Sequence, residues 1–426
     1  MLKIIDQLLN SHRIKLKSAG FSMEPVFHEN DVLYFKKVAF NKVRINDIVS
    51  VKKDKKLITH RVIYKSPKYL ITKGDNNPIS DGKVHPKQII GKVYQVKRNN
   101  QIIDPEQIYL LQSTLYFQEI VKIKNAFEKE EINFVFLKGL PLHLYFEKTH
   151  PRRIYLDCDV LVDKKDFSKT ESIMNKFGYK KSSQSLSKIH TLFRKKQIEV
   201  PFYKSINGFP VVFDIHLEID WMSQQLGKLE EFYPQSFIDQ LTNEFLQIKR
   251  MVNIQDSNFP FLTSNLQILY LALHLFHHNF RGAFRYDFLD KVVRKQQLKI
   301  NNWQLITKIV NNYQLSNFVS PVFILLKKYY QTPIPKEFFD FIKPVNSLTR
   351  KLINRLTRTI IFDDEPRVHA GINRFKNLFL LSPNPLWKKM LVFFNPQVIY
   401  SIFWVLLQRL FSFFRIFFKP NSSFFK

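Results

Sequence analysis

Between residues 18 and 97 the apolar positions come in short β-branched and aromatic runs separated by turn residues. The runs at 32–35, 48–51, 61–64, 69–72 and 91–94 read as strands, and together they predict a small, mostly antiparallel β domain. Asn99-Asn100 and Asp104-Pro105 then read as a linker. Beyond it the period changes. Leu110, Leu111, Leu115, Phe117, Val121 and Phe127 are apolar positions of a predicted amphipathic helix over 107–130. A short buried strand at 134–137 runs into Lys138-Gly139, and a helix over 140–146 follows. A strand at 155–162, a helix over 167–177 capped by Gly178 and a strand at 211–219 continue the alternation, which predicts an α/β domain. Residues 262–426 read as mainly helical, with no internal repeat.

A chain of 426 residues exceeds one typical domain. The expected division is a β domain over 1–103, an α/β domain over 106–260, its helical part over 261–385 and a basic, apolar C-terminal helix over 386–426. A lone cysteine, Cys158, excludes an intramolecular disulfide framework. The net charge is +30, from 66 basic and 36 acidic residues. A solvated, Lys-rich surface is the plain reading. The sharper readings are nucleic acid, an anionic membrane or an acidic substrate such as nucleotide phosphates. No RNP motif, zinc-finger spacing or Gly-rich RNA-binding tail is present, so nucleic acid ranks below the other two. Residues 1–17 are amphipathic and lack the apolar core of a secretory signal or a membrane span, which predicts a cytoplasmic location.

Two groups of residues suggest chemistry. In the first, Ser22 stands in Gly20-Phe21-Ser22-Met23-Glu24-Pro25, followed by His60-Arg61-Val62, by Lys73-Gly74-Asp75-Asn76-Asn77 and by Asp81. A serine hydroxyl needs a neighbouring base to become a nucleophile, and the base needs a third group to hold it. Read singly, Ser22 is a turn serine and His60 a strand histidine. In order, over residues 15–97, the motifs resemble the signal peptidase I family in its serine–histidine form. That resemblance implies Ser22 as nucleophile, His60 as base and Asp81 as the orienting acid, with Asp75 as the alternative acid. It also implies a peptide or protein substrate bound extended along a sheet edge. The family's two Gly-Asp pairs read Asn30-Asp31 and Asn46-Asp47 here, and Asn tolerates the left-handed backbone those turns need.

In the second group, Asp157-Cys158-Asp159 lies on a strand, so the two carboxylates project to one side and Cys158 to the other. Asp214, in Asp214-Ile215-His216, can add a third from a neighbouring strand. Alone, such acids also fit a solvated strand edge, but the apolar flanks Ile154, Leu156, Val160 and Leu161 imply burial. Gathered carboxylates repel unless a cation neutralises them, and hard oxygen ligands suit Mg²⁺. With Leu137-Lys138-Gly139 and Arg153 ahead of them, these motifs resemble the uncharacterised nucleotidyltransferase family of the DNA polymerase beta superfamily, over residues 108–345. The resemblance implies a nucleoside triphosphate substrate and Mg²⁺, as two ions, held by Asp157, Asp159 and Asp214. Asp214 would also serve the acceptor hydroxyl, Gly139 would let the backbone approach the phosphates, and Lys138 and Arg153 would meet their charge. Arg152 competes with Arg153 for that role, and Lys138 also reads as a solvated loop lysine.

His274, His277 and His278 share one face of a predicted helix over 265–279. That spacing fits metal ligation, and equally packing or phosphate contact. The resemblance places an Arg and an Asp after this helix, Arg285 and either Asp290 or Asp287. Residues 391–418 are apolar but broken by Gln408-Arg409 and Arg415, which suits an interfacial helix on an anionic membrane or a helix packed on its own domain. The expected protein is therefore a bifunctional enzyme. Its rivals are a catalytically inactive binding protein or a membrane-docking scaffold that keeps the folds.

Overall fold

The computed structural model describes residues 13–24, 26–53, 56–155, 158–181, 198–219, 221–222, 229–298, 300–343, 347–358, 361–364, 367–400 and 402–403. The first sheet is built from β1 (Arg13–Lys17), β2 (Val32–Lys36), β3 (Ile48–Lys53), β4 (Lys56–Lys65), β5 (Leu70–Lys73), β6 (Lys83–Val84), β7 (Ile89–Arg98) and β8 (Gln101–Ile103). The order is β1-β2-β7-β3-β4-β5-β6, with β8 on β7 and the pairings antiparallel. Each strand predicted in this region is present. Asn30 and Asn46 take the left-handed backbone expected of them, at φ 71° and 73°.

The stretch expected to be a linker is ordered structure. Asn99 and Asn100, both at positive φ, form the turn between β7 and β8. Asp104 caps α1 (Pro105–Lys129), its carboxylate accepting from the Glu106 N–H at 2.9 Å. The cap fixes where the helix begins, and β8 leaves no slack before it. Helix α1 buries Tyr109, Tyr116, Ile120, Ile123 and Phe127. Leu110 and Leu111, expected on the apolar face, are exposed because that stripe runs one residue out of phase with them.

The second sheet follows the order β11-β12-β13-β10-β9-β15-β14. Its strands are β9 (Phe134–Gly139), β10 (Cys158–Val162), β11 (Lys180–Lys181), β12 (Glu199–Ile206), β13 (Phe209–His216), β14 (Lys249–Ile254) and β15 (Ser257–Leu262). Helices α2 (Leu140–Glu147) and α3 (Phe167–Lys176) fall where the periodicity put them. Helix α4 (Gln235–Gln247) precedes the β14–β15 hairpin. The helical region opens with α5 (Ser264–His277), whose residues 266–273 are buried all round, and continues through α6 (Ala283–Gln296), α7 (Ile300–Asn312) and α8 (Ser316–Tyr330).

The two sheets are not separate bodies on a tether. Ile63, Tyr64 and Ile71 of the first sheet belong to the buried cluster that fills the α/β region. Tyr64 Oη donates to the Tyr329 carbonyl at 3.1 Å, and its ring lies 4.6 Å from that of Phe362. In the other direction, Tyr109 and Ile154 pack into the core of the first sheet. The fold therefore places strand β4 between two clefts, one on each side.

Candidate functional site

Strand register sets the first cleft. Lys138 on β9 faces Asp159 on antiparallel β10, and Asp159 faces Asp214 on parallel β13. The three side chains thus stand abreast on adjacent strands. The β9–β10 register shifts just after Asp159, a break of the kind that re-aims side chains beside functional sites. Lys138 Nζ donates to Asp159 Oδ2 at 2.6 Å, and His216 Nε2 lies 3.0 Å from Asp159 Oδ1. His216, two residues beyond Asp214, shares its face, and its Nδ1 is 3.8 Å from Glu199 on β12. Burial pushes the Asp159 carboxyl up, but Lys138 and His216 outweigh it and hold the group below its ordinary value. Burial likewise pushes His216 down. Its bond to Asp159 and the charges of Glu199, Asp159 and Asp214 outweigh that and hold it above its ordinary value.

These residues line a cleft of about 580 Å³ together with Gly139, Arg153, Arg285, the three histidines of α5, and Ile63, Lys73 and Asp75 from the first sheet. Gly139 sits at φ 109°, where a side chain would be strained, at the junction of β9 and α2. Arg153 lies over the rings of Tyr155 and Phe284, at 4.2 and 4.8 Å. Arg152 instead reaches Asp47 at 2.8 Å and Glu106, so of the two arginines only Arg153 faces the cleft. Arg285 lines it as well, whereas Asp290 pairs with Arg294 and Asp287 with Lys291. Burial, reinforced by Lys138 and Arg285, keeps His274, His277 and His278 well below their ordinary values and therefore neutral. Among the described residues no three His, Cys, Asp or Glu side chains are gathered as a metal site; the His274 and His277 rings stack, and the His274 and His278 rings meet edge to face. Cys158 points into the core, as its position between the acids predicts. Asp157 lies outside the described residues.

The second cleft lies on the far side of β4. His60 Nε2 is 2.9 Å from Ser22 Oγ, and His60 Nδ1 is 2.7 Å from Asp81 Oδ2. An ionised carboxylate only accepts, so Nδ1 carries the proton and Nε2 is left to accept from the serine hydroxyl. Asp81 is held in turn. Its Oδ2 accepts from Thr72 Oγ1 at 2.7 Å and its N–H donates to the Thr72 carbonyl at 2.8 Å. Asp75, the alternative acid, is taken by Arg61 through two bonds of 2.6 and 2.5 Å. Gly74 permits the loop to pass Ser22, since a Cβ there would come within 2.6 Å of the Ser22 carbonyl oxygen. The cleft, about 400 Å³, is walled by Leu16, Met23, Leu33 and Leu57, and β1 is the outer strand of its sheet.

A family model described as uncharacterised nucleotidyltransferase matches residues 104–331, more than half of the chain. The chain belongs to this nucleotidyltransferase family. No curated protein and no solved structure matches it. The matched span of the nucleotidyltransferase contains Lys138, Gly139, Arg153, Asp157, Asp159 and Asp214. Asp159 and Asp214 offer carboxylates in register, the hard oxygen donors a divalent cation takes, and the two oxygens of Asp159 hold Lys138 and His216, nitrogen partners that such a cation would have to displace. Sequence reasoning missed Glu199, Lys73, Asp75 and Asp364 as cleft residues. Glu199 and Asp364 carry no local motif. Lys73 and Asp75 had been read only with the serine.

The Asp159–His216 pair makes a pH-dependent prediction for this nucleotidyltransferase. Folded His216 is raised, so its stabilising contribution is full below its unfolded value near 6.5 and is lost as pH rises through the higher folded value. Folded Asp159 is lowered, so its contribution is full above 3.8 and is lost as pH falls through the lower folded value. Asp159→Asn is expected to bring the NMR titration of the His216 ring down in pH and to remove the acid-side loss. A His216 titration that the substitution leaves unmoved would contradict the pairing.

Proposed function

We propose that the cleft around Asp159 transfers a nucleoside monophosphate from a nucleoside triphosphate to an acceptor hydroxyl. The observation that carries this reading is the alignment of Lys138, Asp159 and Asp214 across three strands inside the family-matched span. The acceptor oxygen bonds to the α-phosphorus, pyrophosphate leaves, and Asp214 takes the acceptor's proton. Gly139 lets the backbone approach the phosphates, while Arg153 and Lys138 meet their charge. Asp159 and Asp214, with Asp157 of the sequence motif, would hold Mg²⁺, which would neutralise charge on the triphosphate and the leaving pyrophosphate. Incubation with labelled nucleoside triphosphates and Mg²⁺ tests the reading, with transfer to the protein itself or to a cell extract as the signal. Asp159→Asn and Asp214→Asn are each expected to lower transfer by about a hundredfold or more. Equal labelling by wild type and both variants would exclude this cleft.

A second activity is favoured by the 2.9 and 2.7 Å contacts of His60 with Ser22 and Asp81. Ser22 Oγ attacks a peptide carbonyl, His60 accepts its proton, and Asp81 orients the imidazole. The peptide lies extended along β1, adding its backbone to the sheet edge. Its small side chains near the scissile bond follow from the resemblance to signal peptidase I. Ser22→Ala is expected to abolish cleavage of a peptide library without unfolding the protein, and His60→Ala to lower cleavage about 10²–10⁴-fold. Equal processing by wild type and Ser22→Ala removes the assignment, and binding without turnover favours a scaffold.

The cytoplasmic protein docks on anionic membrane through its C-terminal region. Trp387, Phe394 and Phe403 are exposed, Lys388 follows Trp387 in sequence, and residues 404–426, outside the described residues, continue apolar and basic in sequence. Among the described residues no helix is long and apolar enough to cross a membrane. Val392 and Val398 belong to the core, so the informative truncation begins after them. Deleting 404–426 is expected to release the protein from phosphatidylserine vesicles in a flotation assay. Wild type that stays off such vesicles at low salt would rule the docking out.

A further inference from the structure

The mouth of the nucleotide cleft holds an ion cluster drawn from three separate parts of the chain. Lys73 ends strand β5 of the first sheet, Arg285 lies in α6, and Asp364 lies in the segment 361–364. All three line the cleft. Lys73 Nζ pairs with Asp364 Oδ2, and Arg285 Nη1 is 3.7 Å from Asp364 Oδ1. Lys73 and Asp364 both fall outside the span matched by the family.

The burial of the partners is unequal. The Lys73 side chain is 9% exposed, that of Asp364 44%. A buried ammonium needs an anion beside it, because leaving it unpaired costs far more than leaving a half-solvated carboxylate unpaired. The cation is therefore the fixed member and the carboxylate the exchangeable one. The backbone under Asp364 is fixed independently. Its N–H donates to the Pro78 carbonyl at 2.8 Å, Asp363 accepts from Ser80 N–H and Oγ at 2.9 and 2.6 Å, and Gly282 N–H donates to the Ile361 carbonyl at 2.9 Å. Only side-chain rotation is needed to move the carboxylate away. Lysine as a point charge and arginine as a planar fork, converging on one anion, are the pair that suits phosphate oxygens.

We propose that Lys73 and Arg285 form an anion subsite that takes a phosphate group of the bound substrate, and that Asp364 is a built-in competitor displaced when the phosphate arrives. This rests on the nucleotide reading of the cleft, and extends it by assigning a binding residue to the first sheet. The phosphate belongs either to the nucleoside triphosphate or to a phosphorylated acceptor.

Calorimetry on the full chain tests it, with Mg-ATP, Mg-GTP, Mg-CTP, Mg-UTP and inorganic phosphate as probes. Wild type is compared with Lys73→Met and Asp364→Asn. Lys73→Met is expected to weaken binding about tenfold, and Asp364→Asn to tighten it severalfold, because the competitor has lost its charge. Opposite shifts with the triphosphates assign the phosphate to the nucleotide. Opposite shifts confined to inorganic phosphate assign it to the acceptor, and either result upholds the subsite. Parallel weakening in the two variants, or no shift in either, overturns it and leaves a structural bridge between the sheets. Wild type that binds inorganic phosphate but none of the triphosphates removes the nucleotide reading alone. Wild type that binds neither overturns both.

Discussion

The guanidinium of Arg61 is the interaction on which both clefts depend. It is 1% exposed, and its donors reach four residues from separate parts of the chain. Nε and Nη2 hold Asp75, Nη2 also reaches Tyr109 Oη on α1, and Nη1 reaches the carbonyls of Asn46 and Arg152. Burial alone disfavours that charge, but Asp75 and Tyr109 outweigh it and hold the group above its ordinary value. An ammonium could not serve all of these acceptors, since only the planar fork carries five donors in fixed directions. A buried charge with its hydrogen bonds complete gives little net stability, but it is costly to break, and so it fixes geometry. What it fixes is strand β4, whose His60 faces the serine and whose Ile63 faces the nucleotide cleft.

The segment from Lys73 to Asp81 extends that coupling. Lys73 and Asp75 line one cleft while Asn77 lines the other. The Asn76 N–H donates to the Ser22 carbonyl at 2.8 Å, and Asp81 holds the His60 ring. The two sites therefore share a wall only a few residues thick. Motifs assigned from sequence to two domains thus flank one structural element.

Local patterns made much of this legible. Strands β2, β3, β4, β5 and β7, with α1, β9, α2 and α3, follow from periodicity, and the left-handed turns at Asn30 and Asn46 from residue chemistry. Ser22, His60 and Asp81 were recoverable because their motifs keep order and spacing along the chain. Strand β12 and the β14–β15 hairpin were missed for different reasons. The β12–β13 turn is Asn207-Gly208, a strong hairpin signal that went unread. The β14–β15 turn is Gln255-Asp256, a weak one. Tertiary partners were not legible at all. Nothing local in Lys138 distinguishes a phosphate contact from the ion pair it makes with Asp159, because cross-strand register decides it. The same holds for Glu199 and Asp364, which acquire meaning only when distant segments meet.

Charge in the nucleotide cleft is arranged unlike charge on the rest of this basic chain. Its carboxylates are already matched, Asp159 with Lys138 and His216, and Asp364 with Lys73 and Arg285. A site that merely collected lysines would attract any polyanion and would repel its own acids' cations. A self-neutralised site instead favours a ligand that brings anion and cation together, because each can replace an existing partner at little net change in charge. On the proposed reading a phosphate would take the place of the Asp364 carboxylate beside Lys73 and Arg285, and an accompanying cation that of the Lys138 ammonium beside Asp159. The overall excess of +30 is left to act on encounter with anionic ligands or surfaces.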